Sequence, residues 1–133
     1  MTTIQSHKIE LNKPAKEIFD FLADANNHQQ LMPSSIYNWT STKDDCAFTI
    51  QNMAKLELTI SERIPNSEIK IIPKVKAPLA LDLKWQIEEN GANCTAQLTI
   101  NADLNPFIKM MAMGPLTNLA NYQAEKLQAF AKV

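Results

Sequence analysis

With 133 residues, 45% of them hydrophobic and 20% charged, the chain is long enough to bury one core and too short for two full domains. The formal charge is −1 and the lysines are scattered around a single arginine, Arg63, which excludes a basic stripe able to track a nucleic-acid backbone or an anionic membrane. The opening MTTIQSHKIEL is too polar for a signal peptide and no later window is long and apolar enough to span a bilayer, so a cytoplasmic location is expected. Cys46 and Cys94, the only cysteines, lie far apart and are expected to be reduced, buried thiols.

Residues 3 to 11 read as a first strand with Ile4, Ile9 and Leu11 as its apolar points. Pro14 then suits the first turn of a helix, and Ala15, Ile18, Phe19 and Leu22 follow at helical spacing, which predicts a short amphipathic helix over residues 14 to 23. A second helical turn is expected from His28 to Met32, stopped by Pro33.

From Ser34 to Asn105 the periodicity becomes alternating. Leu56, Leu58, Ile60 and Ile64 alternate with Lys55, Glu57, Thr59, Ser61 and Arg63. Leu79, Leu81, Leu83, Trp85 and Ile87 share a second face, and Cys94, Ala96, Leu98, Ile100 and Ala102 a third. These are half-buried antiparallel strands, joined between Glu89 and Ala92 by a hairpin turn. Shorter strands are expected at Ile36 to Thr40, Ala47 to Gln51 and Glu68 to Ile72, with a turn at Asn52 to Ala54. Alternation places Arg63 outside; a bulge in its strand would turn it inward.

The last quarter, Asn105 to Val133, reads as helix. Leu116, Leu119, Ala120, Ala124, Leu127, Phe130 and Ala131 fall on one face, opposite Thr117, Asn118, Asn121, Glu125, Gln128 and Lys132. Gln123 projects into the apolar stripe, where its amide needs a partner. A straight helix from Pro106 would turn Phe107 and Met111 toward water, so a kink or break at Gly114-Pro115 is predicted, letting both pieces bury their apolar sides. Met110, Met111 and Met113, adaptable fillers of irregular space, sit just before it.

Strand, small helices, about six to seven antiparallel strands and one long helix make an α+β class and a single domain over residues 1 to 133. The sheet's apolar face and the one long helix available to cover it imply a sheet curved around that helix.

The opening strand followed by Lys13-Pro14-Ala15-Lys16-Glu17-Ile18-Phe19-Asp20-Phe21-Leu22-Ala23-Asp24, then Leu31-Met32-Pro33, the alternating strands and the closing Leu116 to Phe130 helix resembles the helix-grip (SRPBCC) superfamily of START domains, birch-pollen allergens and polyketide cyclases. The resemblance is one of pattern across nearly the whole chain, with no catalytic motif to carry over. It implies a cavity between the concave sheet and the long helix, used across that superfamily to hold lipids, sterols, polyketides, quinones and similar molecules. A dry void of about 300 Å³, at about 24 cal/mol per Å³, would cost on the order of 7 kcal/mol, so such a space should hold ligand, water or flexible side chains.

No nucleophile motif, phosphate loop or metal-ligand spacing appears, so neither metal nor cofactor is expected. His7 and His28 read as surface histidines, and Glu17, Asp20 and Asp24 as a solvated helix face. The expected function is binding or transport of a hydrophobic small molecule. The expected site lies between Leu56, Leu58, Leu83, Trp85, Leu98 and Ile100 on the sheet and Met110, Met111, Met113, Leu116, Leu119, Ala120, Gln123 and Leu127 on the helix. Trp85 and the three methionines read as core before contact, two roles that overlap in such a fold. The alternatives are a cyclase or dehydratase, which would need a titratable group inside the pocket, and a module whose groove receives a protein partner.

Overall fold

The computed structural model describes residues 2–51, 54–74 and 80–131. Among the described residues eight antiparallel strands form one sheet: β1 (Thr2–Gln5), β2 (Ile9–Leu11), β3 (Ile36–Ser41), β4 (Asp45–Ile50), β5 (Ala54–Ile64), β6 (Glu68–Pro73), β7 (Ala80–Asn90) and β8 (Asn93–Asp103). Helix α1 (Ala15–Leu22) and a 3₁₀ turn (Ala25–Leu31) stand between β2 and β3, and α2 (Pro106–Ala131) closes the chain. The spatial order is β1-β8-β7-β6-β5-β4-β3, with β2 also pairing β8 beyond the end of β1. This is the α+β, helix-grip arrangement expected. Leu79 and the Asn52–Met53 turn fall outside the described residues.

The strand over residues 3 to 11 is broken in two, and this accounts for its mixed pattern. Three residues, Ser6 to Lys8, separate the pairs Gln5↔Thr99 and Ile9↔Ala96, while β8 has only two between them. The extra residue reverses the side-chain phase, so Ile4 and Ile9, of opposite parity, both face the core. Ser6 bridges the gap. Its N–H donates to the Leu98 carbonyl at 2.9 Å, and its hydroxyl accepts from the Leu98 N–H at 3.0 Å.

A second bulge corrects the reading of β5. Ile60 pairs with Ile71 and Glu62 with Lys70, so one residue is inserted at Ser61. Beyond it the phase is inverted: Arg63 lies opposite the fully buried Ile69, and Ile64, expected inside, is 41% exposed. A third irregularity, between Tyr37 and Thr40, includes Asn38 at φ 55° and sets Trp39 in a stack on Phe48 with ring centroids 5.2 Å apart. The β7–β8 turn has Gly91 at φ 67° as the first of two loop residues, the type II′ pattern that matches strand twist.

Across the concave face, cross-strand partners form continuous rows. One row runs Ile60, Ile71, Leu83, Ile100, Ile4, and the next runs Arg63, Ile69, Trp85, Leu98. Helix α2 lies over β8, β1 and β2 and reaches the 3₁₀ turn, while α1 packs on β7. Phe21 of α1 stacks on Phe130 of α2, with centroids 4.2 Å apart.

The predicted break at Gly114-Pro115 is absent: α2 is one helix with Pro115 inside it. Proline removes one backbone donor, and the rest of the ladder continues around it. Before Pro115 only Ala112 is buried; after it Leu116, Leu119, Ala120, Gln123, Ala124, Leu127 and Ala131 are. Without a change of rotation the leading third cannot turn its apolar residues inward. Phe107, Met110 and Met111 are therefore exposed, at 74%, 87% and 63%.

Replacing Ser6 with alanine leaves the Leu98 N–H unpaired beside the break. The expected loss is about 1–3 kcal/mol of unfolding free energy, read from urea denaturation, with the far-UV circular dichroism of the native state unchanged.

Candidate functional site

The junction of sheet and helix begins with the chain leaving the 3₁₀ turn. Pro33 ends that turn, and two backbone bonds, Ile36 N–H to the Pro33 carbonyl at 3.0 Å and Gln51 N–H to the Ser35 carbonyl at 2.8 Å, fasten the loop to the end of β4. Ile36 and Ile50 are cross-strand partners there. Opposite them, Pro115, Asn118, Leu119 and Tyr122 recur at spacings of three, four and seven along one side of α2. Between the two sides is an open groove of about 280 Å³, lined by Pro33, Ser35, Ile36, Ile50, Gln51, Pro115, Asn118, Leu119 and Tyr122. Its wall is mostly apolar, with polar groups from Ser35, Gln51, Asn118 and the Tyr122 hydroxyl.

Behind the groove lies the core. Leu56, Leu58, Leu83, Trp85, Leu98 and Ile100 are buried on the sheet, and Leu116, Leu119, Ala120, Gln123 and Leu127 on α2. Of these predicted site residues only Leu119 also lines the groove. Met113 is partly buried against the core, whereas Met110 and Met111 face away from it; the uninterrupted helix leaves them no route inward. The other groove residues went unrecognised from the sequence. Asn118 belongs to the wet face of α2 and Tyr122 flanks the apolar stripe, and only their spacing from Pro115 and Leu119 signals a shared wall.

The interior carries polar groups without partners. Gln123 is 0% exposed, and among the described residues neither its amide oxygen nor its amide nitrogen has a hydrogen-bond partner. The indole Nε1 of Trp85, also fully buried, and the hydroxyl of Thr99 are in the same condition. Each such group costs roughly 1–3 kcal/mol, against a total domain stability of about 5–15 kcal/mol. Two ties fix the level of Gln123. The His7 N–H donates to Asn121 Oδ1 at 3.1 Å, and Gln128 Nε2 donates to the Glu10 carbonyl at 3.2 Å. Gln123 lies between these two ties along α2, and Ser6 is bonded to Leu98, the cross-strand partner of Trp85.

Two side chains read as surface groups are not free in water. His28 is 3% exposed: Ala25, His28 and Leu31 recur every three residues, the 3₁₀ period, and all point inward. Its Nε2–H donates to the Leu22 carbonyl at 2.8 Å, near the end of α1. Burial pushes the imidazole below its ordinary value of 6.5, partly opposed by that bond and by Asp24. Arg63, turned by its bulge, donates from Nε to the Ala23 carbonyl at 2.9 Å and from Nη2 to Asp44 at 2.7 Å. It ties β5 to the end of α1 and the β3–β4 turn at the rim of the core. Burial raises the Cys46 thiol to about 12 and also raises Cys94, so both stay protonated at neutral pH. No cluster of metal-ligating side chains occurs among the described residues, and no helix there is long and apolar enough to cross a membrane.

No protein-family model and no curated protein matches the sequence. Solved structures do match in shape. A START superfamily protein from Mycobacterium smegmatis aligns over 98% of this chain and 97% of its own, at 14% identity and a TM-score of 0.69. The KanY protein aligns over the full length of both chains at 10% identity and a TM-score of 0.79. These likenesses show the fold, a helix-grip fold. The di-domain ARO/CYC protein BexL of the BE-7585A biosynthetic pathway extends the comparison: the helix-grip domain, over 97% of its length, matches 46% of that chain at 16% identity and a TM-score of 0.70.

The buried His28 gives this helix-grip domain an acid limb. With a folded pKa below 6.5, the unfolded chain takes up a proton that the folded chain refuses, so stability is lost as pH falls through 6.5 and levels off below the folded value. His28→Gln, whose amide can donate to the Leu22 carbonyl, is expected to flatten this limb in urea midpoints measured from about pH 8 to about pH 5.

Proposed function

We propose that this protein binds an apolar small molecule, admitted through the groove between the β3–β4 end of the sheet and the middle of α2. The observation that carries the reading is the apolar lining of that groove, with Ile36, Ile50, Pro115 and Leu119 converging over a core already closed on its other sides by α1 and the sheet. The helix-grip fold supports it, since the neighbours in shape include a START superfamily protein and an ARO/CYC protein. As the volume of the groove is about 280 Å³, a ligand of modest size fits there.

A cyclase or dehydratase reading would need an acid or base at the groove. Among the described residues no carboxylate, imidazole, thiol or amine lines the groove, where the one ionisable side chain is the Tyr122 phenol; the buried His28 is committed to the Leu22 carbonyl and is not part of the groove wall. Binding without chemistry is therefore the reading favoured.

The test is titration with the fluorescent amine N-phenylnaphthylamine. Saturable enhancement is expected for the wild-type protein. Asn118 is exposed, so Asn118→Trp fills the groove without disturbing the core, and it should weaken probe binding by about tenfold or more, about 1.4 kcal/mol, with Tm little changed. An unaltered titration in that variant would remove the groove from the site.

A further inference from the structure

Three large apolar side chains stand in water along the leading turns of α2. Phe107, Met110 and Met111 are mostly exposed, and with Gly114 they recur at the three- and four-residue spacings that share one side of an uninterrupted helix. The same spacing carries Phe107 and Met111 on to Pro115, Asn118 and Tyr122, so this ridge runs directly into the helical wall of the groove. We propose that the ridge is an interfacial docking surface that seats the protein on a neutral lipid bilayer, beside the groove. The proposal goes beyond small-molecule binding and does not depend on it.

Size and charge select the occupant. At about 150–250 Å² for a large side chain, the ridge offers on the order of 400 Å² of apolar surface, a contiguous patch of the size that is often functional. A standard protein interface buries roughly 800 Å² per partner, so the ridge by itself holds neither a second copy nor another folded protein. From Leu104 to Ala124 the chain has a single charged residue, Lys109, and helical spacing sets it on the side away from Phe107 and Met111. The charged and polar rim that fixes the orientation of a protein partner is therefore missing. A bilayer surface needs no such register, since Phe and Met side chains enter the boundary between headgroups and acyl chains as an apolar helix face. The start of the helix suits that setting: Pro106 has no N–H, Asn105 Oδ1 accepts from the Ile108 N–H at 2.8 Å, and the Asn105 carbonyl accepts from the Lys109 N–H at 2.8 Å. With an uncharged ridge and a net charge of −1, the attraction is apolar, and anionic lipid is not required.

The experiment is flotation of the full chain with phosphatidylcholine vesicles. The wild-type protein is expected to float with them, and high salt should leave the bound fraction unchanged. Phe107→Gln combined with Met110→Gln should lower the partition coefficient by about tenfold or more, with Tm little changed because both side chains stand in water. Met110→Trp reports insertion directly: on addition of vesicles its emission should move to shorter wavelength, beyond any response of Trp39 and Trp85 in the wild type. A wild-type protein that stays in solution, or a double variant that floats equally well, overturns the docking surface. So does binding confined to vesicles with anionic lipid and lost in salt, or a dimer in vesicle-free solution that the double variant abolishes, which assigns the ridge to a second copy. The proposed binding function is read separately, by N-phenylnaphthylamine titration without vesicles, which the double variant should leave unchanged. A double variant that loses both flotation and the titration has damaged the groove, and the ridge is then no separate surface.

Discussion

A strand presents its side chains with a period of two, and a sheet curling around a helix must keep one apolar face inward through every bend. This chain meets that constraint with single-residue insertions. The interruption at Ser6 to Lys8, the irregularity at Asn38 and the bulge at Ser61 each reset the side-chain phase where the strand changes course. Without the first, Ile4 and Ile9 could not both be buried. Without the third, Arg63 would project into water and could not fasten β5 to the end of α1. The bulges thus govern both the curvature and the set of polar groups brought to the rim.

Within that curved sheet, the placement of α2 follows from a single row of small and aliphatic residues after Pro115. The stripe from Leu116 to Ala131 is long enough to cover β8, β1 and β2, and Phe130 closes against Phe21. What the helix leaves uncovered at the β3–β4 end is the groove. The leading third of α2 has no such stripe, because Phe107, Met110 and Met111 share the side that a continuous helix turns to solvent. The proline that ought to have reconciled the two halves is accommodated inside the helix instead.

The core is also costlier than an apolar one. An amide and an indole N–H are buried without partners among the described residues, and a buried polar group left unpaired costs about 1–3 kcal/mol against a domain stability of about 5–15 kcal/mol. Gln123 is the one polar residue in the buried stripe of α2.

The sequence by itself determined the fold class, the element order and most of the core. Those depend on local periodicity: alternation in β5, β7 and β8, helical spacing in α1 and after Leu116, turn chemistry at Asn90-Gly91, and an amide set within an apolar stripe. Tertiary structure decided the inward turn of Arg63, the burial of His28, the exposure of Met110 and Met111, and the walls of the groove. Each of these depends on an inserted residue, a bond to a distant carbonyl, or two segments about eighty residues apart meeting face to face, and none leaves a periodic trace in the chain.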